Sequence, residues 1–210
     1  MLSQSIQGGL MSTASRELRH SRAPLVRLQI RGLKAAAGQS ATFARSGSES
    51  DRIGHALAAN MNAGFALELG LKLFAMTFAQ TVPRGHDLKG LYDALPDQIR
   101  GDIVSTYETA IQGADVTVTS FAFQVSEGSP CPPSGNLSGT PGWWTAPTFF
   151  ESANRTFEQA RYFYECVEVG AWAAIDYPAA YLVAMIETLD VVYQAYLDQG
   201  GFGPQFFHGA

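Results

Sequence analysis

The sequence predicts an all-α protein: an up-and-down bundle of four to five helices with a long Pro/Gly-rich loop. Three observations carry this prediction. Apolar residues recur at three- and four-residue steps from Asp51 to Gln80 and again in later runs. Prolines and glycines stand between those runs, and the short connections they leave make neighbouring helices pack antiparallel. The 210 residues, 46% of them apolar, suffice for one hydrophobic core.

Residues 1–50 are rich in Ser, Gly, Ala and Arg and short of aromatics, with only "PLVRLQIRGL" apolar. Such a segment buries too little surface to offset the entropy of ordering, so it reads as a largely disordered basic leader that does not pack on the bundle. Its acid-poor, Arg/Ser-rich composition also fits an organelle transit peptide; a dispensable extension or a start codon set too far upstream are the alternatives. No continuous apolar stretch of a secretory signal is present.

The first helix spans Asp51 to Gln80. Leu57, Met61, Phe65, Leu69, Leu73 and Met76 form one stripe and Leu67, Leu71, Phe74 and Phe78 a second, so more than half the girth is apolar and the helix is central. Met61 to Ala79 nearly has the length of a membrane span. Glu68 and Lys72 sit mid-window, however, where each costs roughly 2.5–3.5 kcal/mol at a bilayer centre. No membrane segment is expected. Pro83 and Gly85 end the helix, Asp87 suits the cap of "LKGLYDAL", and Pro96 closes that element and opens "DQIRGDIVSTYETAIQG", with Ile99, Ile103, Tyr107 and Ile111 on one face.

"VTVTSFAFQV" alternates like a strand, but a strand without a partner is unstable, so it reads as a loop or short extended segment. Residues 128–147 are dense in Pro, Gly and Ser and read as a loop insertion held by Trp143 and Trp144. A fourth helix is expected from Phe149 to about Val169, with Phe150, Phe157, Arg161 and Tyr164 near one face. A last one opens at Pro178 and places Leu182, Met185 or Ile186, Leu189, Tyr193 and Leu197 on its face. Residues 51–200 thus form the bundle, and 201–210 a tail.

Charge is unevenly placed. Met1 to Arg45 nets +6 and Ser46 to Ala210 nets −11. An acidic body does not draw a phosphate backbone at long range, which argues against general DNA binding. Cys131 and Cys166 lack Cys-x-x-Cys spacing and suit a reduced, cytoplasmic protein better than a disulfide scaffold. The four histidines, His20, His55, His86 and His208, are scattered, so no metal site and no cofactor is expected.

The polar residues on this apolar background are the candidate site. Glu68 and Lys72 stand one turn apart in the favoured order of a helix ion pair. If buried, the pair needs further partners, and His86, Asp87, Arg161, Tyr162 and Glu165 can supply them. A carboxylate beside His86 would fix its imidazole tautomer. In "RYFYE", Arg161 and Glu165 share a face, with Tyr162 and Tyr164 flanking. The set reads either as the pins of a helical bundle or as a network that also contacts a ligand. Nucleophile-elbow, P-loop and dinucleotide-binding motifs are missing.

"NAGFALELGLKLF", "RGHDLKGLYDALP" and "FEQARYFYE" together resemble the HEPN superfamily, the higher eukaryotes and prokaryotes nucleotide-binding domains, over Asn60 to Glu165. The resemblance implies a helical bundle that is often a homodimer, with roles in RNA cleavage, toxin–antitoxin systems, phage defence or nucleotide binding. It marks Glu68, Lys72, His86, Asp87, Arg161, Tyr162 and Glu165 as the polar signature. Catalytic members carry an arginine followed by four to six residues and a histidine, and no arginine here precedes a histidine at that spacing. The expectation is a non-catalytic HEPN-like module binding a nucleotide, RNA or a partner protein. The alternatives are a metal-independent ribonuclease built on His86 and Arg161, and a purely structural protein.

Overall fold

The computed structural model describes residues 3–79, 83–112, 117–124, 135–138, 145–161 and 172–199. Among these residues the α-helices are α1 (Ser3–Ser46), α2 (Glu49–Phe74), α3 (Leu88–Asp93), α4 (Asp97–Ile111), α5 (Ala146–Arg161) and α6 (Ala179–Asp198). Three short strands, β1 (Thr117–Gln124), β2 (Gly135–Ser138) and β3 (Trp172–Tyr177), form an antiparallel sheet in the order β2-β1-β3. The protein is an all-α bundle with this sheet appended. No helix among the described residues is long and apolar enough to cross a membrane.

α2 is the central helix, and it continues into a π-helical turn, Ala75–Ala79. Its stripe of Leu67, Leu71, Phe74 and Phe78 is buried, whereas Leu57, Met61, Phe65 and Leu69 of the other stripe are only partly covered. Around it lie Ile99, Ile103 and Tyr107 of α4, Phe149, Phe150 and Phe157 of α5, and Leu182, Met185, Leu189 and Tyr193 of α6. Ring contacts tie these elements together: Phe74 meets Tyr193 edge-on at 5.5 Å, Phe65 meets Phe157 at 5.1 Å, and Tyr92 of α3 stacks on Phe150 at 4.6 Å. α5 approaches α2 so closely that a Cβ on Gly64 would sit 2.3 Å from the Phe157 ring.

Part of the segment expected to be a disordered leader, residues 1–50, packs on the bundle instead, from Ala23 to Ala44. α1 packs along α2, and Ala23, Ile30, Ala37 and Ala44 are buried at every seventh residue, with half-buried Val26 and Leu33 between them. They face the buried Ala56, Ala59, Ala63 and Ala66 of α2. A seven-residue repeat holds a seam toward one partner helix, and alanine at the contact lets two backbones come close. The seam needs few large side chains, which is why a count of aromatics and leucines misses it. Ion pairs fasten α1 to α6 as well: Arg27 Nε donates to Asp190 at 2.8 Å and Lys34 Nζ to Glu187 at 2.6 Å. Gly47 and Ser48 turn the chain into α2, where Ser48 caps the helix by accepting from the Asp51 N–H.

Within "VTVTSFAFQV", expected as a loop or short extended segment, Thr117–Gln124 is a strand, because it has partners. β3 pairs with it from Thr119↔Tyr177 to Gln124↔Trp172, and β2 pairs from Thr117↔Ser138 to Ser120↔Gly135. β2 falls inside the stretch read as a structureless loop insertion. Both partners are remote along the chain and one is four residues long, so neither announces itself locally. Trp143, Trp144, Cys131, Cys166 and His208 lie outside the described residues, as does the expected continuation of α5 toward Val169.

Candidate functional site

α2 presents Glu68 and Lys72 on consecutive turns, pointing toward the segment that leads into α3. Glu68 is nearly sealed, with its side chain 7% exposed, and both of its carboxylate oxygens are bonded. Lys72 Nζ donates to Oε1 at 2.7 Å, and His86 Nδ1 lies 2.8 Å from Oε2. Lys72 Nζ also donates to the Gly85 carbonyl at 2.8 Å. That carbonyl stands at a residue with φ of 90°, a left-handed backbone conformation glycine adopts without strain. A buried carboxylate and ammonium thus hold each other and the backbone of the turn, which offsets the cost of removing both charges from water.

The imidazole is placed differently. His86 is 51% exposed, and the carboxylate at Nδ1 selects the tautomer or charge state that carries a proton there. Nε2 is then the acceptor of that neutral tautomer. A histidine oriented by a buried carboxylate has the arrangement of a general base. Here the same carboxylate also serves the ammonium of Lys72.

Asp87 is taken up in the backbone. It is the N-cap of α3, its Oδ1 accepting from the Gly90 N–H at 3.0 Å. The next orphan donor of that helix, Leu88 N–H, is satisfied by Asn154 Oδ1 of α5 at 3.1 Å. Asn154 was not among the expected site residues, and its only signal in the sequence is a polar side chain on the Phe150/Phe157 face.

Arg161 is not among the partners of Glu68. Its guanidinium stacks on the Phe157 ring, 5.5 Å from the centroid, and Glu68 bonds to Lys72 and His86 instead. Asn154 is the α5 residue level with the His86–Leu88 turn. Arg161 lies seven residues further along α5, about 10 Å at the helical rise. Tyr162 and Glu165 lie outside the described residues.

Two open clefts lie elsewhere. One, of about 330 Å³, is bounded by Tyr92, Asp93, Asp97, Arg100, Val104 and Pro147. Burial pushes the Tyr92 phenol up, and the hydrogen bond to Asp97 raises Arg100 further, so this guanidinium is committed to its own helix. The other, of about 270 Å³, runs between α1 and α6. No cluster of three or more His, Cys, Asp and Glu able to hold a metal exists among the described residues.

No protein-family model, no curated protein and no solved structure matches this chain.

Proposed function

We propose that this protein is a non-catalytic, HEPN-like helical module that acts by binding a partner protein. One observation carries the reading: the ionisable groups that the apolar helix harbours are consumed by one another and by the adjoining turn, Glu68 bonding Lys72 and His86 and Lys72 bonding the Gly85 carbonyl. Buried in this way, they fix the α2–α3 turn. The outward surface is instead notable for exposed aliphatics, Leu25 and Leu28 of α1 and Val191 of α6. Such side chains suit protein contact.

The test is paired. Calorimetric titration with mononucleotides and short RNAs is expected to show no binding, while affinity capture on the full chain retains a partner protein that Leu28→Glu releases. Nucleotide or RNA binding that survives Leu28→Glu and is lost in His86→Ala would overturn the reading.

A second reading, a metal-independent ribonuclease, is favoured by the exposed, carboxylate-oriented His86. It requires cleavage of labelled RNA in the presence of a chelator and its loss in His86→Ala. Equal activity of the two proteins, or none in either, removes it.

A further inference from the structure

α1 repeats every seventh residue on two sides. Its inner side, Ala23, Ile30, Ala37 and Ala44, is buried against α2. At about 3.6 residues per turn, Leu25 and Leu28 stand on the far side of the helix from Ile30. There they begin a second stripe at steps of three and four, Leu25, Leu28, Gly32, Ala35 and Gln39, every member of it exposed. Both leucines are 66% exposed, and a Cβ added at Gly32 would meet nothing within 4 Å. The exposed Arg22 and Arg31 flank the leucines, each about a quarter turn from the middle of the stripe. No acidic residue stands between Glu17 and Glu49.

The charges on this face differ from those beside it. Arg27 and Lys34, which reach α6, are paired with Asp190 and Glu187. Arg22 and Arg31 have no ion pair among the described residues. An apolar stripe at alternating three- and four-residue steps, with basic residues on its flanks, has the pattern of one member of a helix pair: the stripe forms the contact and the flanking charges select the partner. Gly32 and Ala35 let a second backbone approach closely, whereas a bilayer would gain little from them, because insertion is driven by bulky apolar side chains. A phosphate backbone would answer the arginines but set charge against Leu25 and Leu28. A second copy brings no carboxylate from residues 18–48 to meet Arg22 and Arg31. Stripe and flanks are satisfied together by a helix apolar on one face and acidic along its edges.

We infer that the outer face of α1 docks an acidic amphipathic helix of a partner protein, whose apolar stripe covers Leu25, Leu28, Gly32 and Ala35 while its carboxylates meet Arg22 and Arg31. This rests on the reading of the chain as a partner-binding module and names the chemistry of that partner. α1 thereby works on two sides: its alanine face builds the bundle and its opposite face recruits. The arginines set the choice of partner more than the strength of binding, because exposed ion pairs contribute little each and weaken with salt.

The probe is a synthetic helix of three heptads with leucine at the a and d positions and glutamate at e and g, titrated with the full chain by fluorescence anisotropy beside the same helix carrying lysine in place of glutamate. The glutamate helix is expected to bind and the lysine helix not. Leu28→Glu abolishes binding, and Arg22→Glu combined with Arg31→Glu weakens the glutamate helix by on the order of tenfold or more while gaining the lysine helix. That exchange of preference excludes unfolding as the cause, and melting curves check that the variants fold. Equal binding of the two helices by wild type, or binding of neither, overturns the inference, as does glutamate-helix binding that survives Leu28→Glu. Phosphatidylserine vesicles or single-stranded RNA that bind wild type and not Leu28→Glu, with the glutamate helix ignored, overturn it in favour of a membrane or a nucleic acid. A captured partner protein released by Leu28→Glu but not by the double arginine reversal leaves the partner-binding reading standing and removes only the acidic helix.

Discussion

α2 is held on two sides by different means. Toward α1 it offers Ala56, Ala59, Ala63 and Ala66 to a seam of alanines, and toward α4, α5 and α6 it offers Leu67, Leu71, Phe74 and Phe78 to an aromatic core. The first contact gains little apolar area per residue and depends on close approach, register and length. The second gains roughly 1.5–3 kcal/mol for each large side chain removed from water. Burial alone therefore does not say how much a helix contact is worth: the same low exposure describes Ala59 and Phe149, and deletion or enlargement should separate them.

The largest effect is expected in the aromatic core. Phe149 is fully buried between Tyr107, 5.4 Å away, and Phe150 at 5.2 Å. Phe149→Ala should cost about 3–5 kcal/mol in urea unfolding, through lost transfer energy and the cavity left behind. A cost near 1 kcal/mol would mean that the core collapses around the gap and is less tightly packed than the ring contacts indicate.

Next comes the polar pin. Glu68→Gln leaves the Lys72 ammonium with the Gly85 carbonyl but no counter-charge, and a loss of about 3 kcal/mol is expected, at the lower end for a broken buried pair. The double variant Glu68→Leu with Lys72→Met should recover most of that stability, because neither charge then remains to be compensated. If the double variant is worse than the single, the network contributes more than mutual compensation.

The alanine seam responds to enlargement instead of deletion. Ala59→Leu inserts a branched side chain where two backbones approach, with an expected cost of about 1–3 kcal/mol. A Leu at the partly covered position 58 of the same helix should cost far less. Equal, small effects at both positions would show that α1 lies loosely on α2.

These regions also differ in how far the sequence disclosed them. Large apolar residues at helical spacing marked α2, α4, α5 and α6, and the caps at Asp87, Pro96 and Pro178 fell where a short polar side chain or a proline suits the first turn. The Glu68–Lys72 pair followed from spacing, and the meeting with His86 from the short turn between α2 and α3. Alanine carries almost no periodic hydrophobic signal, so the heptad of α1 was hidden in a segment that looked compositionally disordered. Strand pairing and the level of Arg161 along α5 depend on contacts between remote segments, which local spacing does not encode. The same holds for Asn154, whose role as acceptor for the Leu88 N–H exists only once α5 lies beside α3.

The smallest expected effect joins the two regions at the sheet end of the bundle. Burial pushes the Tyr177 phenol up to about 12, while Arg45, at the end of α1, opposes the rise. Since the unfolded phenol titrates near 10, the folded chain holds this proton between about pH 10 and 12 when the unfolded chain has lost it. Stability from this group is therefore complete below pH 10 and is lost as pH climbs toward 12, by an amount on the order of 1–2 kcal/mol. Tyr177→Phe removes the titration, so unfolding free energies of wild type and variant measured at pH 9 and pH 11.5 should diverge, with wild type falling further. Arg45→Ala should move the phenolate absorbance midpoint upward, because the opposing charge is gone. A midpoint that falls or does not move would mean that α1 ends elsewhere than beside β3, and the seam would need to be redrawn from that end.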